Sequence, residues 1–105
     1  MISIDERVLI SVVTVSFNSA RTIERTIQSV LAQMTSGIEY IIVDGGSRDG
    51  TVDIIQRCAA VSPGTLRWTS APDRGIYDAM NKGIARARGS HIAFLNSDDW
   101  YEPEP

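Results

Sequence analysis

The chain has 105 residues, of which 43% are hydrophobic and 22% are charged, and its formal net charge is −3. These values fit one small domain with its own core and argue against a nucleic-acid partner, because nucleic-acid-binding domains usually carry a basic face. The single cysteine excludes a disulfide within the chain, and no apolar run approaches the roughly 20 residues of a membrane span, so we expect a cytoplasmic protein.

The first half of the sequence predicts two strands with a helix between them. Residues 8–15 are an almost continuous apolar run, which is typical of a strand buried on both faces. Ser19 is the expected N-cap of a helix that continues through Met34, and the second strand should cover residues 38–43. The inner face of the helix should consist of apolar residues at helical spacing: Ile23, Ile27, Val30, Leu31 and Met34.

The second half continues the alternation. A helix over residues 50–60 should be followed by a short strand over residues 65–70. A third helix over residues 76–87, with Gly89 as its C-cap, should precede a fourth strand over residues 91–95. The predicted inward residues are Val52, Ile55 and Ala59 on the second helix and Ile76, Met80, Ile84 and Ala87 on the third.

Strands that alternate with helices at this spacing predict an α/β fold, a three-layer α/β/α domain around a mainly parallel sheet. Ligands bind such sheets beyond the carboxyl ends of the strands. The segment after the first strand, Ser16-Phe17-Asn18-Ser19, lacks the GxGxxG pattern of dinucleotide-binding oxidoreductases, and the GxxxxGK[ST] phosphate loop is also absent. The chemistry of the site must therefore come from other residues at this edge.

Two adjacent carboxylates, Asp98 and Asp99, follow the fourth predicted strand. Carboxylate oxygens are ligands that Mg²⁺ and Mn²⁺ prefer, and an ion held there can bind a diphosphate. The alternative is an acidic turn without a metal, because Asn, Ser and Asp residues all favour turns.

A second acidic turn, Asp44-Gly45-Gly46-Ser47, follows the second predicted strand. The glycines allow a ligand to approach the backbone closely, and Asp44 can accept hydrogen bonds from a base or a ribose. Ser47 and Asp49 can instead cap the helix that follows.

Charged residues around the start of the third predicted helix allow two interpretations. Arg74 or Lys82 can face a diphosphate at the helix start. Asp78 lies four residues from each of them, so all three can equally form a solvated charge ladder.

Taken together, four segments resemble the family 2 glycosyltransferases, which contain the nucleotide-binding half of the GT-A fold. They are residues 12–18, 39–51, 73–83 and 93–99, and they cover most of the chain in the order of the family. The Asp-Gly-Gly-Ser and Asp-Arg-Gly-Ile-Tyr-Asp versions resemble the bacterial polysaccharide-assembly branch, such as colanic-acid-type transferases. The resemblance implies that residues 1–105 form a single N-terminal nucleotide-sugar-binding domain, truncated relative to a longer enzyme.

The resemblance also implies roles for the matching residues. Asp44 should lie at the base, and Arg74 and Asp78 should line the donor side. Asp99 should ligate the Mn²⁺ or Mg²⁺ that holds the diphosphate, and Asp98 should approach the ribose or the metal. The backbone of three residues should line the nucleoside pocket: Thr14, Val15 and Ser16.

The reaction implied for the intact enzyme transfers a sugar, with inversion, from a nucleotide-diphosphate sugar to a hydroxyl of a glycan or lipid-linked acceptor. The general base is expected beyond residue 105, so this chain alone should be inactive, and the intact protein can attach peripherally to the inner membrane. Gly45 and Asn96 stand where many members carry acids, which motivates a second hypothesis, a non-catalytic nucleotide-binding or interaction module. An uncovered sheet edge would also favour a homo-oligomer.

Overall fold

Four strands and three helices alternate along residues 8–97, the part of the chain that the computed structural model describes. This confirms the predicted order of elements. Across these residues no helix is both long and apolar enough to cross a membrane. The bounds are β1 Ile10–Ser16, α1 Ile23–Leu31, β2 Ile38–Asp44, α2 Thr51–Val61, β3 Leu66–Ser70, α3 Ile76–Arg86 and β4 His91–Phe94.

The four strands form one parallel sheet in the order β3-β2-β1-β4. The chain winds outward from β1 through β2 to β3 and then returns to place β4 on the free side of β1. The direction of winding therefore reverses between β1 and β4. In parallel α/β sheets such a reversal opens a crevice at the carboxyl ends of the strands, where ligands bind.

Helices cover both faces of the sheet. Successive residues of β1 and β2 point to opposite faces, and each face carries buried apolar side chains. α1 and α2 pack on one face, and α3 packs on the other. The first core contains Val12, Ile23, Ile27, Val30, Tyr40, Ile42, Ile55, Cys58 and Leu66. The second core is smaller and contains Val13, Val15, Ile41, Val43 and Ala79. The three-layer arrangement predicted from the sequence is confirmed.

The predicted start and end of the first helix are wrong. α1 begins at Ile23 after the cap position Thr22, which makes no side-chain capping bond, and it ends at Leu31 rather than at Met34. Ser19 lies outside the helix because its polar groups have other partners. Its backbone N–H donates to Thr51 Oγ1 at 2.8 Å, which ties the segment before α1 to the start of α2.

The predicted inner stripe of the third helix is also wrong in part. Ile76 and Ile84 are 49% and 47% exposed, whereas Ala79 and Gly83 are buried. α3 lies so close to β1 that a Cβ atom on Gly83 would be 2.5 Å from Cγ1 of Val13. Only small residues fit against the sheet at that separation, so hydrophobicity alone selects the wrong face.

Gly89 does not act as the predicted C-cap of α3. The cap position is Ala87, which is extended, and Gly89 has no left-handed backbone conformation. The glycine serves a close approach instead, since a Cβ atom there would be 2.8 Å from the backbone nitrogen of Ser11.

A buried carboxylate, Glu39, joins the strands near their amino ends. It accepts hydrogen bonds from Ser11 Oγ at 2.5 Å, the Arg88 backbone N–H at 2.6 Å and Arg67 Nη2 at 2.7 Å. Burial alone would raise the pKa of Glu39, but the hydroxyl of Ser11 and the groups of Arg88 and Arg67 together lower it from 4.5 to about 2. The network therefore requires the ionised carboxylate.

The fold should lose stability in acid through Glu39. Because its folded pKa of about 2 lies below the ordinary 4.5, its contribution is complete above about pH 5 and disappears as the pH falls toward 2. The shift corresponds to about 3 kcal/mol of unfolding free energy. Urea unfolding of Glu39→Gln should show a deficit at pH 7 that shrinks toward pH 2.

The matched control is Asp53→Asn, which removes an exposed acid of α2. This variant should keep the pH profile of the parent protein. Parallel stability curves for Glu39→Gln and the parent between pH 7 and pH 2 would contradict the assignment to Glu39.

Candidate functional site

A cavity of about 760 Å³ opens at the carboxyl edge of the sheet. This volume lies within the range of small-molecule binding sites, roughly 300–1,000 Å³. The loops after all four strands contribute to its wall, and the first turn of α3 closes one side. Its lining residues include Ser16, Phe17, Gly45, Asp73, Asn96 and Ser97.

The floor of this cavity is organised by the carboxylate of Asp44, which is only 1% exposed. Oδ1 accepts hydrogen bonds from Ser16 Oγ at 2.7 Å and Ser47 Oγ at 2.6 Å. Oδ2 accepts from Ser70 Oγ and the Ser47 backbone N–H, both at 2.8 Å, and from the Gly46 N–H at 3.1 Å. One side chain thus joins the carboxyl ends of β1, β2 and β3.

The same contacts set the charge of Asp44. Burial alone would raise its pKa, but the hydroxyl and backbone groups of Ser47, with the hydroxyls of Ser16 and Ser70, lower it below its ordinary value of 3.8. A buried carboxylate that receives only donors remains ionised. Asp44 therefore places a fixed negative charge beneath the cavity.

The loops after β1 and β2 are bonded to each other. Asn18 has a positive φ of 49°, and its side-chain oxygen accepts from the Arg48 backbone N–H at 3.0 Å. The Asn18 N–H donates to Ser47 Oγ at 2.7 Å. Ser47 and Asp49 were the residues predicted to cap α2. Of these two, only Asp49 contacts the first turn of α2, where it accepts the Thr51 N–H at 3.1 Å.

The end of β4 is anchored to the other side of the cavity by Ser97. Its hydroxyl lies 2.6 Å from that of Ser19, and its carbonyl accepts Thr26 Oγ1 at 2.8 Å. Asp98 and Asp99, the predicted metal ligands, follow directly in the sequence and lie outside the described residues. Between residues 8 and 97, no three His, Cys, Asp or Glu side chains come together to hold a metal ion.

Of the residues predicted to bind the nucleotide, Val15 and Ser16 line the cavity. Thr14 is fully buried, and its hydroxyl lies 2.8 Å from that of Tyr40. Asp44 lies beneath the wall rather than in it, and its neighbour Gly45 forms the surface instead. The residues of the cavity surface are therefore distinct from the buried residues that support it.

Arg74 and Asp78 do not line the cavity. The Arg74 N–H donates to Asp78 Oδ2 at 2.9 Å, which ties the residue before the cap position Gly75 to the first turn of α3. Lys82 Nζ lies 3.7 Å from Asp78 and donates to the carbonyl of Pro72 at 3.2 Å. Asp78 and Lys82 thus form one pair of the predicted charge ladder, and the donor-side roles of Arg74, Asp78 and Lys82 stay predictions.

Phe17 and Asp73 are among the cavity residues to which the sequence analysis gave no role. Phe17 is 62% exposed although it directly follows a buried strand, and Asp73 lies two residues before Gly75, the cap position of α3. An aromatic residue immediately after an apolar strand is a signal that could have been used. Asp73 carries no local signal, since its position depends on the contact between two loops.

Residues 11–104 match the family model Glycosyl transferase family 2. The chain belongs to glycosyl transferase family 2. The predicted family is therefore confirmed for nearly the whole sequence.

Several curated relatives of this family 2 chain are longer proteins. An uncharacterized glycosyltransferase of Mycobacterium tuberculosis is 48% identical over 91 residues, which are 86% of this chain and 34% of the relative. The putative teichuronic acid biosynthesis glycosyltransferase TuaG of Bacillus subtilis is 40% identical over 96 residues, 91% of this chain and 38% of the relative. The chain thus spans about a third of the length of these two relatives.

Solved structures confirm the GT-A fold. The mannosyltransferase PcManGT of Pyrobaculum calidifontis, in complex with GDP-Man and Mn²⁺, superimposes with a TM-score of 0.85 at 25% identity, over 92% of this chain and 29% of its own. Glucosyl-3-phosphoglycerate synthase of Mycobacterium tuberculosis, in complex with Mn²⁺, UDP and glucosyl-3-phosphoglycerate, gives a TM-score of 0.71 at 26% identity, over 85% and 33% of the two chains.

The buried bonds of Asp44 predict a large effect of Asp44→Asn. The amide would direct an N–H₂ group at donors and remove a charge, so the free energy of unfolding should fall by about 2–4 kcal/mol. Hydrogen exchange should quicken at the Gly46 and Ser47 amides, which donate to this carboxylate. Asp53→Asn is the control, and unchanged protection in Asp44→Asn would contradict the proposed support of the floor.

Proposed function

We propose that this chain is the donor-binding domain of an inverting, metal-assisted glycosyltransferase, and that its cavity holds a nucleotide-diphosphate sugar. The observation that carries the proposal is the location of the cavity. It opens at the point where the winding of a parallel sheet reverses, in a chain of glycosyl transferase family 2. The solved relatives with GDP-Man or UDP bound support the same class of ligand.

The lining chemistry suits the parts of such a ligand. Phe17 offers an exposed ring on which a base can stack. Arg21 supplies positive charge, and the N-terminus of α3, whose first residue Ile76 lines the cavity, adds a partial positive charge, so that both favour a diphosphate. The chain's own residues would therefore bind and orient the donor, and orientation is a large part of the rate of such a transfer.

A divalent cation fits the residues at the end of β4. Ser97 fixes the start of that segment beside the cavity, and Asp98 and Asp99 would supply the carboxylate oxygens that Mn²⁺ or Mg²⁺ prefers. The ion, when bound, would neutralise charge on the leaving diphosphate. Mn²⁺ in the complexes of PcManGT and of the phosphoglycerate synthase supports this choice.

The wider role of the protein is part of the same proposal. We infer a glycan or lipid-linked acceptor and a place in bacterial polysaccharide assembly of the colanic-acid type, with the intact protein in the cytoplasm or peripherally at the inner membrane. The similarity to TuaG, whose name refers to teichuronic acid biosynthesis, supports the polysaccharide class. The general base and the acceptor site would lie outside residues 1–105, so these residues should bind the donor without transferring sugar.

Calorimetric titration with UDP and GDP, with and without Mn²⁺, tests the donor site. One of the two should bind, and Mn²⁺ should strengthen that binding about tenfold or more, as expected for charge-assisted contacts to a diphosphate. Asp99→Ala should remove the metal dependence, and the control Asp53→Ala should keep it.

Each other outcome of this titration has a distinct meaning. If Asp99→Ala does not change the metal-dependent affinity, the result would favour a non-catalytic nucleotide-binding module. The amide of Asn96 at the cavity wall, where many family members carry an acid, supports the same alternative. No binding by the folded chain would refute the donor site, and sugar transfer by the 105-residue chain would refute its expected inactivity.

We also propose that the chain self-associates through the edge of the sheet. β4 pairs only with β1 within residues 8–97, and Leu9, Ile10, Ile92 and Phe94 expose apolar surface around this edge. Light scattering at high concentration should give the mass of a dimer or a larger species. Ile92→Lys should shift the mass toward the monomer, and a monomer for the unaltered chain would contradict the proposal.

A further inference from the structure

The loops after β2 and β3 meet inside the cavity at two consecutive glycines. A Cβ atom on Gly46 would lie 3.2 Å from the Pro72 nitrogen, and one on Gly45 would lie 2.7 Å from Oδ2 of Asp73. Contacts below 3.0 Å do not occur for real Cβ atoms, so the carboxylate of Asp73 fills the space that a side chain at position 45 would need. Because Gly45 has no side chain, the carboxylate of Asp73, from the loop after β3, can occupy this space.

In the described part of the chain, the carboxylate of Asp73 is held in place through only one of its two oxygens. Its Oδ1 accepts the Gly75 N–H at 3.0 Å, which fixes the orientation of the group. Within residues 8–97, Oδ2 receives no hydrogen bond and Asp73 takes part in no salt bridge. Lys82, a nearby cation, is already engaged by the carbonyl of Pro72 and by Asp78. One acceptor oxygen in the cavity wall is therefore available to a ligand.

We propose that Asp73 determines which nucleotide binds, by accepting a hydrogen bond from a ring N–H of the base. The proposal rests on the donor-binding function inferred above. Uracil and guanine carry a ring N–H beside a carbonyl, whereas cytosine and adenine carry an unprotonated nitrogen at the corresponding edge. A carboxylate can only accept, so at this ring position it favours the N–H of the first pair and is repelled by the lone pair on the ring nitrogen of the second. Phe17 in the same cavity supplies the stacking surface that a base needs.

Asp73 differs in this respect from Asp44. All five donors to Asp44 belong to the protein, and its side chain is buried beneath the wall. Asp73 is half-buried and lines the cavity. Of these two acids, Asp73 is the one with an oxygen available to the ligand.

Titration of the chain with UDP, CDP, GDP and ADP in the presence of Mn²⁺ tests the assignment. The parent should bind UDP more tightly than CDP, or GDP more tightly than ADP. Asp73→Asn keeps the shape of the side chain but adds donors, so this preference should fall by about tenfold or more while the diphosphate is still bound. Asp53→Asn removes an exposed acid outside the cavity and should keep the preference.

A double variant separates the role of the carboxylate from the role of its loop. Gly45 has no positive φ, so a residue with a side chain can adopt its backbone once Asp73 no longer fills the space. Gly45→Asp combined with Asp73→Ala should therefore recover a large part of the preference that Asp73→Ala alone loses. Gly45→Ala alone should weaken it, because the new methyl group displaces the acid.

Three results would overturn the assignment while leaving the donor site intact. They are binding without any preference between the paired nucleotides, an unchanged preference in Asp73→Asn, and an equal loss of affinity for all four nucleotides. The last result would place Asp73 at the ribose, and weaker binding of 2′-deoxy-UDP by the parent but not by Asp73→Asn would identify that contact. If the folded parent binds none of the four, the proposed function itself fails.

Discussion

The carboxylate of Asp44 is the interaction on which the geometry of the site depends. Parallel strands are paired along their length by backbone bonds, but their ends are free to diverge where the loops begin. Asp44 prevents this at the carboxyl edge, since its two oxygens receive donors from β1, from β3 and from the loop that follows β2. The cavity floor is thus fixed by one ionised group whose five hydrogen bonds come from the protein itself.

A second buried carboxylate holds the opposite edge. Glu39 accepts hydrogen bonds from Ser11, Arg67 and Arg88 near the amino ends of the same strands. β1 and β2 are therefore cross-linked by charge-assisted hydrogen bonds at both ends, with an apolar core between. Such a sheet is a rigid base, so differences in ligand preference can arise in the loops without disturbing the fold.

Much of the fold could be predicted from the sequence because its signals are local. The apolar runs of β1 and β2 indicate strands buried on both faces, and the turn residues between elements fix their order. The errors have one origin, which is contact between distant parts of the chain. Serine is a residue type that often caps helices, yet the hydroxyl of Ser19 pairs with that of Ser97, 78 residues away. Ile84 is more hydrophobic than Gly83, but the separation of α3 from β1 admits only the glycine.

The site was predictable to a similar extent. The acid at the end of β2 marked the edge of the sheet at which the cavity opens, but the sequence could not show whether its carboxylate lies beneath the cavity wall or in it. Asp44 is buried under its own donors, and the cavity surface belongs to Phe17, Gly45 and Asp73. That distinction depends on burial and on contacts between loops, which no local pattern contains.

The glycine that brings α3 against the sheet also sets a dimension of the cavity. Gly83 lies seven residues after Ile76, which is about 10 Å along a helix axis. Because a helix moves as a rigid rod, a bulkier residue at position 83 would lift the whole rod and carry Gly75 and Ile76 away from the opposite wall. The width of the entrance is therefore adjustable from the core, by a residue that faces β1 and does not line the cavity.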